Sequence, residues 1–268
     1  MWRPDDLRQG AEATAAQTAV RQWTQITLMA CQSNRRTSNA GTSLPDRRGA
    51  LAAGVALGFG LVPTAAPGAS AQSIPLSPAR GAPHTLQAAM AARRSVRRYS
   101  AAPLSFDCAS ELLWAGQGVS SDARRRTVPS AGALYPLELH LVARRVQGLP
   151  AGVYRYQPKT HAIEATPGHA TAERLAHAAG GQAMVGAAPA VLAILARHAF
   201  TAAKYGIRAE RYVAIEAGAA AQNIALKAAA LGLGTVLVGG FDEDELTQVL
   251  RLTPGLRPLV LMPVGTPA

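Results

Sequence analysis

Cysteine is nearly missing from this chain: Cys31 and Cys108 are the only two in 268 residues. No disulfide framework can be built from them, and no zinc-type spacing can be written. The six histidines show no HxxH or HxxxH pairing, which argues against a metal site. Charge is scarce too, at 16% of residues against 49% apolar ones, so most of the chain should fold around a core. Long hydrophobic runs are also lacking. The candidate run, Gly49 to Val62, covers about 14 residues, short of the roughly 20 that cross a bilayer, and no integral membrane span is expected.

What the chain has in excess is positive charge, +11 overall. Residues 1–80 hold eight basic and four acidic residues, so +7 of that charge belongs to residues 81–268. Such a balance favours an anionic partner: nucleic acid, acidic lipid or a phosphorylated cofactor. With 5% aromatics and no lysine-rich helix, nucleic acid is the weakest of the three and is not expected.

The chain divides near residue 80. Residues 1–80 lack sustained periodicity and carry the grammar of an export signal at about 44–72: Arg47-Arg48, the apolar run, then Ala69-Ser70-Ala71 before Gln72. Paired arginines ahead of the run point to a twin-arginine or Sec-type export signal and the periplasm, with the cytoplasm as the alternative. "SIPLSPARGAP" reads as the linker that follows.

Residues 81–268 read as one domain. Thr85 caps a first helix, and Ser105 caps a second that carries Leu112, Leu113 and Trp114 and ends at Gly116 and Gly118. "LELHLVAR" alternates as a half-buried strand, and "GVYRYQPKTHAIEA" is a hairpin turning at Pro158–Thr160. "TAERLAHAAGG" is a short helix, and "PAVLAILAR" is apolar enough for a central strand. A long helix from Ala209 puts Tyr212, Ile215, Glu216, Ala219, Asn223, Leu226 and Ala230 on one stripe, suited to a partner helix across a dimer axis. "TVLVGG" is a strand leading to a helix with an Asp242–Glu245 capping box and a Phe241–Leu246 staple. "PLVLMPVG" is the last strand. Strands and helices interleave without strict alternation, so the class is α+β.

Four pieces could meet a flat, anionic ligand. Arg93, Arg94, Ser95 and Arg97 lie where the first helix breaks, and guanidinium groups fork onto phosphate oxygens. Pro129, Ser130, Ala131 and Gly132 make a turn of small residues against which a ring can lie. Gly239-Gly240 leaves backbone N–H groups open to a ligand. Lys204 and Tyr205 stand just before the long helix.

Taken in order, "RRSVRRYSAAPLS", "PSAGALYPLELHL", "GVYRYQPKTHAI", "KYGIRAERYVAIEAGAAAQNIALKAAALGLG" and "VGGFDEDEL…PVG" resemble the nitroreductase superfamily over about residues 85–266. They are most similar to its SagB-type (thiazole/oxazole) dehydrogenase branch. The resemblance implies a mainly antiparallel central sheet flanked by helices, a homodimer, and FMN held between subunits. It implies that Arg93, Arg94, Ser95 and Arg97 meet the phosphate and ribityl chain. Pro129, Ser130, Ala131 and Leu134 would pack on the flavin ring from the partner chain, and Gly239 and Gly240 would lie at its N5 edge. Lys204 and Tyr205 match the pair with which azoline-oxidising members remove a substrate proton. Arg124–Arg126 match no cofactor position and are expected in solvent.

Three departures qualify the resemblance. Ala219 stands where SagB-type chains commonly have the histidine of "EAGH". The ending "PVGTPA" lacks the basic residue that many nitroreductases place there, which throws the phosphate onto the first arginine cluster. An export leader fits poorly with modifying ribosomal peptides in the cytoplasm. Weight therefore shifts to a general FMN-dependent oxidoreductase with ping-pong hydride transfer through flavin N5 and NAD(P)H as a candidate donor. The alternatives are an azoline (thiazoline/oxazoline) peptide dehydrogenase using Lys204 and Tyr205, and a flavin-binding module without turnover. The substrate class is a small molecule or a peptide.

Overall fold

The run Ala190–Ala196 is buried at every position, because both faces of this interior strand are covered. The rest of the sheet is built outward from it. In the computed structural model, residues 72–79, 85–120 and 125–268 are described. The export signal read at 44–72 lies outside them except at Gln72. In chain order the elements are β1 (Ser73–Pro75), α1 (Leu86–Ala92), α2 (Phe106–Gln117), β2 (Leu137–Ala143), β3 (Gly152–Gln157), β4 (Ala162–Ala165), α3 (Ala172–Ala178), α4 (Ala183–Ala187), β5 (Ala190–Ala196), α5 (His198–Tyr205), α6 (Ala209–Ala230), β6 (Gly234–Thr235), α7 (Glu243–Leu250) and β7 (Arg257–Gly265). The sheet runs β1-β4-β3-β2-β5-β7-β6 and all its strand pairs are antiparallel. This is the α+β architecture that the sequence pattern implies.

Alternation along the strands splits the core in two. Leu139, Leu141, Leu192 and Ile194 pack under α2 and α6 with Leu112, Leu113 and Ile224. Val142, Val153, Val191 and Leu195 face α3, α4 and α7 with Leu175, Leu246 and Leu250. His140 stands on β2 between these apolar neighbours, 4% exposed, with neither ring nitrogen hydrogen-bonded. Burial first, then the charges of Arg155 and Arg197, pushes its pKa down to about 4.

Local signals set the helix starts. Thr85, Ser105 and Asp242 each accept a hydrogen bond from the backbone N–H three residues on. The capping box at α7 is only half made. Glu245 turns to His177, and the Asp242 N–H donates instead to the Ala178 carbonyl at 2.8 Å.

Several expectations change. Ser73–Pro75, read as linker, pairs along β4 as an edge strand. Gly116 lies inside α2, which ends at Gln117 with Gly118 as its cap. The expected "TVLVGG" strand is only two residues long, because the chain turns after Thr235 and rejoins β7 through a lone bridge, Val238 to Leu261. On α6, Val213, Ala217, Ala220, Ile224 and Ala228 face the core of the chain, while of the stripe expected to meet a partner helix Glu216 and Ala230 are buried and the rest is partly or fully exposed. Ile215 is 62% exposed.

Candidate functional site

The arginine segment is tied to the sheet by its backbone. Ser95 bridges Thr235, and the Val96 N–H donates to the Thr235 carbonyl at 3.0 Å. The Tyr99 hydroxyl donates to the carbonyls of Val96 (2.7 Å) and Pro263 (3.0 Å), and burial raises its pKa. Thr266–Ala268 runs alongside, with Thr266 accepting from the Ser100 N–H and the Ala268 N–H reaching Arg98; it adds no cation. A cavity of about 150 Å³ opens here, lined by Arg93, Arg94, Val96, Ala229, Thr235 and Pro267 among others. Ser95 and Arg97 are exposed beside it. Arg94 does double duty: its Nη1 donates to the Ala91 and Arg93 carbonyls at 2.7 and 2.8 Å, closing the end of α1.

Gly239 follows Thr235 by four residues and is exposed, and a Cβ there would meet no atom within 4 Å. The Gly240 carbonyl accepts from Gln182 Nε2 at 2.8 Å, which fixes the loop before α7. Cationic forks at the hollow, and an open backbone edge further along the segment that leaves Thr235, suit a phosphorylated, planar group.

Lys204 and Tyr205 meet a different piece. They end α5, at the end of the sheet where Leu137 of β2 pairs with Ala196 of β5. A Cβ on Gly132 would fall 2.8 Å from Tyr205 Oη and 2.9 Å from Lys204 Nζ, so only glycine leaves room for both tips. The Ser130–Tyr135 turn is unusual backbone, with positive φ at Gly132 (62°), Ala133 (55°) and Tyr135 (49°). Each non-glycine residue there costs about 1–2 kcal/mol, so something must hold it. Glu216 does: its Oε1 accepts from Ser130 Oγ at 3.0 Å and from the Ala131 N–H at 2.8 Å. Burial raises the Glu216 pKa, against the lowering effect of those two bonds. Pro129 is exposed, and Leu134 and Ser130 are half-buried on the same turn. Lys204 itself is exposed and lies 5.4 Å from the Tyr205 ring centre, and Tyr205 stacks edge-on against Tyr212 at 5.0 Å.

The candidates therefore fall into three groups. Arg93 and Arg94 line the hollow beside the last turns of α6, Gly239-Gly240 lie by Gln182 in the loop before α7, and the Ser130 turn, Lys204 and Tyr205 sit by the first turns of α6. From Glu216 to Ala225 and Ala229 the helix axis covers roughly 14–20 Å. Arg126, expected in solvent, is instead packed in: its guanidinium lies 4.7 Å from the Tyr135 ring centre and donates to Gln117 Oε1 at 2.7 Å.

Residues 90–266 match the nitroreductase family. The chain belongs to that family. A nitroreductase-named protein of Methanocaldococcus jannaschii is 44% identical over 173 residues, which cover 65% of this chain and 86% of the relative. A crystal structure from Ralstonia eutropha JMP134, described as a nitroreductase, superposes with a TM-score of 0.61 at 27% identity, covering 78% of this chain and 96% of its own. The Escherichia coli microcin synthetase McbBCD, solved with truncated pro-MccB17 bound, gives a TM-score of 0.57 at 23% identity, covering 74% of this chain and 79% of its own. That last likeness concerns the fold alone. Nitroreductase-family proteins are oxidoreductases that typically bind a flavin. Among the described residues of this member, no helix is long and apolar enough to cross a membrane.

Proposed function

We propose that this nitroreductase-family chain is an FMN-dependent oxidoreductase that works as a homodimer. The observation that carries the reading is the Ser95–Thr235 pairing, which ties the arginine segment to the stretch of chain that reaches Gly239 four residues after Thr235. Arg93, Ser95 and Arg97 would hold the phosphate and ribityl chain, with the rest of the Arg94 guanidinium beside them. Gly239 and Gly240 would offer backbone N–H groups to the N5 edge. Pro129, Ser130, Ala131 and Leu134 would cover the ring from the second subunit, since in one chain their turn lies at the other end of α6 from the arginines. When bound, FMN would supply N5 as the acceptor of a hydride from a donor such as NADH or NADPH and then as the hydride source for the second substrate, the two halves of a ping-pong cycle. Adding NADH or NADPH without oxygen to the FMN-loaded protein should bleach the flavin band. Failure with both donors, and with a chemical reductant followed by an acceptor, would leave a flavin-binding module instead.

A second reading, azoline peptide dehydrogenase, is favoured by the meeting of Lys204 Nζ and Tyr205 Oη at Gly132. In that reading the Lys204 amine takes the proton from the substrate carbon and Tyr205 orients or relays it. Lys204 is exposed in the single chain, so substrate or the second subunit has to remove water from it before it is basic at neutral pH. Lys204→Ala should stop oxidation of a thiazoline-bearing peptide with FMN still bound; unchanged oxidation would overturn the assignment. The leader read at 44–72 supports export of the folded, loaded protein, which N-terminal sequencing of periplasmic material would test.

A further inference from the structure

Glu216 has no part in the roles above, yet it is the group on which the Ser130 turn hangs. It is 4% exposed, on the core side of α6, and its Oε1 takes both the Ser130 hydroxyl and the Ala131 N–H. Ser130 Oγ in turn accepts from the Tyr135 N–H at 2.8 Å. One carboxyl oxygen thus fixes the start of the turn directly and its end through one hydroxyl. The other face of the turn is Gly132, against which Tyr205 Oη and Lys204 Nζ are set. Glu216 Oε2 is buried with no hydrogen-bond partner, so the carboxyl is held there at a desolvation cost that burial alone would not favour.

We propose that Glu216 is a positioning residue for the Lys204–Tyr205 pair: it holds the Ser130–Gly132 turn at the place where that turn sets the amine and the hydroxyl. This rests on the reading in which the pair handles a substrate proton. Glu216 touches neither tip in this arrangement and acts through the turn. Its side-chain oxygen, not its charge, does the holding, so an amide oxygen should substitute for it.

The test uses the full chain as wild type, Glu216→Gln, Glu216→Ala and Glu216→Asp, with Lys204→Ala as reference. Hydrogen exchange of the peptide spanning residues 129–136, without FMN, reads the anchor. Glu216→Ala should speed exchange at Ala131 and Tyr135 by about fivefold to tenfold, the loss expected for a hydrogen bond that does not depend on charge, while Glu216→Gln stays near wild type. Glu216→Asp, one methylene too short to reach both donors, should fall between them and serves if the alanine variant does not fold. Competitive acetylation with acetic anhydride reads the Lys204 amine directly, and its reactivity should change in Glu216→Ala but not in Glu216→Gln. On a thiazoline-bearing peptide, kcat should fall with KM little changed, again rescued by glutamine. Unchanged exchange in the alanine and aspartate variants would overturn the anchor. Faster exchange with unchanged Lys204 reactivity would overturn the positioning role. If Lys204→Ala oxidises normally, the proton-handling reading fails by itself, and the exchange and acetylation results still decide the placement by Glu216.

Discussion

Gly234→Ala tests the strand pairing on which the proposed cofactor site stands. An ideal Cβ at Gly234 falls 2.6 Å from Val96 Cβ and Cγ1 and 2.8 Å from Cγ2. Val96 is β-branched and stiff at χ1. Its N–H is held by Thr235 at 3.0 Å and its carbonyl by the Tyr99 hydroxyl at 2.7 Å. The valine therefore has no cheap way to move aside, and the whole Arg93–Arg97 segment must shift. Overpacking of this kind costs about 1–3 kcal/mol, and at about 2–4 °C per kcal/mol Tm should fall by roughly 2–12 °C. Displacement of one charge-assisted bond to phosphate, about 1.5–3 kcal/mol, should weaken FMN binding roughly 10- to 150-fold. Thermal unfolding without FMN and a fluorescence titration with FMN measure both. An unchanged Tm would refute the close approach. A lowered Tm with unchanged FMN affinity would refute the link between this pairing and the cofactor.

Three further outcomes are expected. His140 has a folded pKa near 4 against an ordinary 6.5, so folding keeps it neutral; its stabilising effect is full above about pH 6.5 and is lost as pH falls toward 4, on the order of 3 kcal/mol across that window. Urea unfolding at pH 7.5 and 4.5 should show this loss in wild type and a smaller one in His140→Leu, and equal losses would count against it. Gly132→Ala should cost about 1–2 kcal/mol for its positive φ and lower kcat by displacing Lys204 and Tyr205; a lowered Tm with unchanged kcat would separate the turn from the chemistry. Arg97→Ala should weaken FMN about tenfold or more with little change in apo stability, whereas Arg94→Ala should also lower the apo Tm through the lost cap on α1; the reverse pattern in paired titrations would contradict the division of labour.

Much of the fold was legible because its signals are local. The continuous run of β5 announces burial on both faces, and Thr85, Ser105 and Asp242 announce helix starts within three residues. Features that depend on distant partners were not legible. Glu216 was visible only as a polar residue on a stripe of small ones, since the Ser130 it holds lies 86 positions away. The core-facing side of α6 was not legible either, because the helix is rich in alanine on every side, which leaves little apolar contrast to mark it. Arg126 looked like part of a solvated run, because nothing near it in sequence shows that Tyr135 folds back beneath its guanidinium. The candidate site was read as four pieces, and their order was informative. That the arginines lie by the end of α6 and the lysine–tyrosine pair by its start needed the tertiary contacts.

The central claim is that this chain holds FMN through its arginine segment. Visible absorbance of the purified protein, after incubation with FMN and removal of excess, measures that directly. The account predicts a flavin spectrum at about one FMN per subunit, lost in Arg93→Ala/Arg97→Ala. A colourless wild-type protein after the same treatment would contradict it.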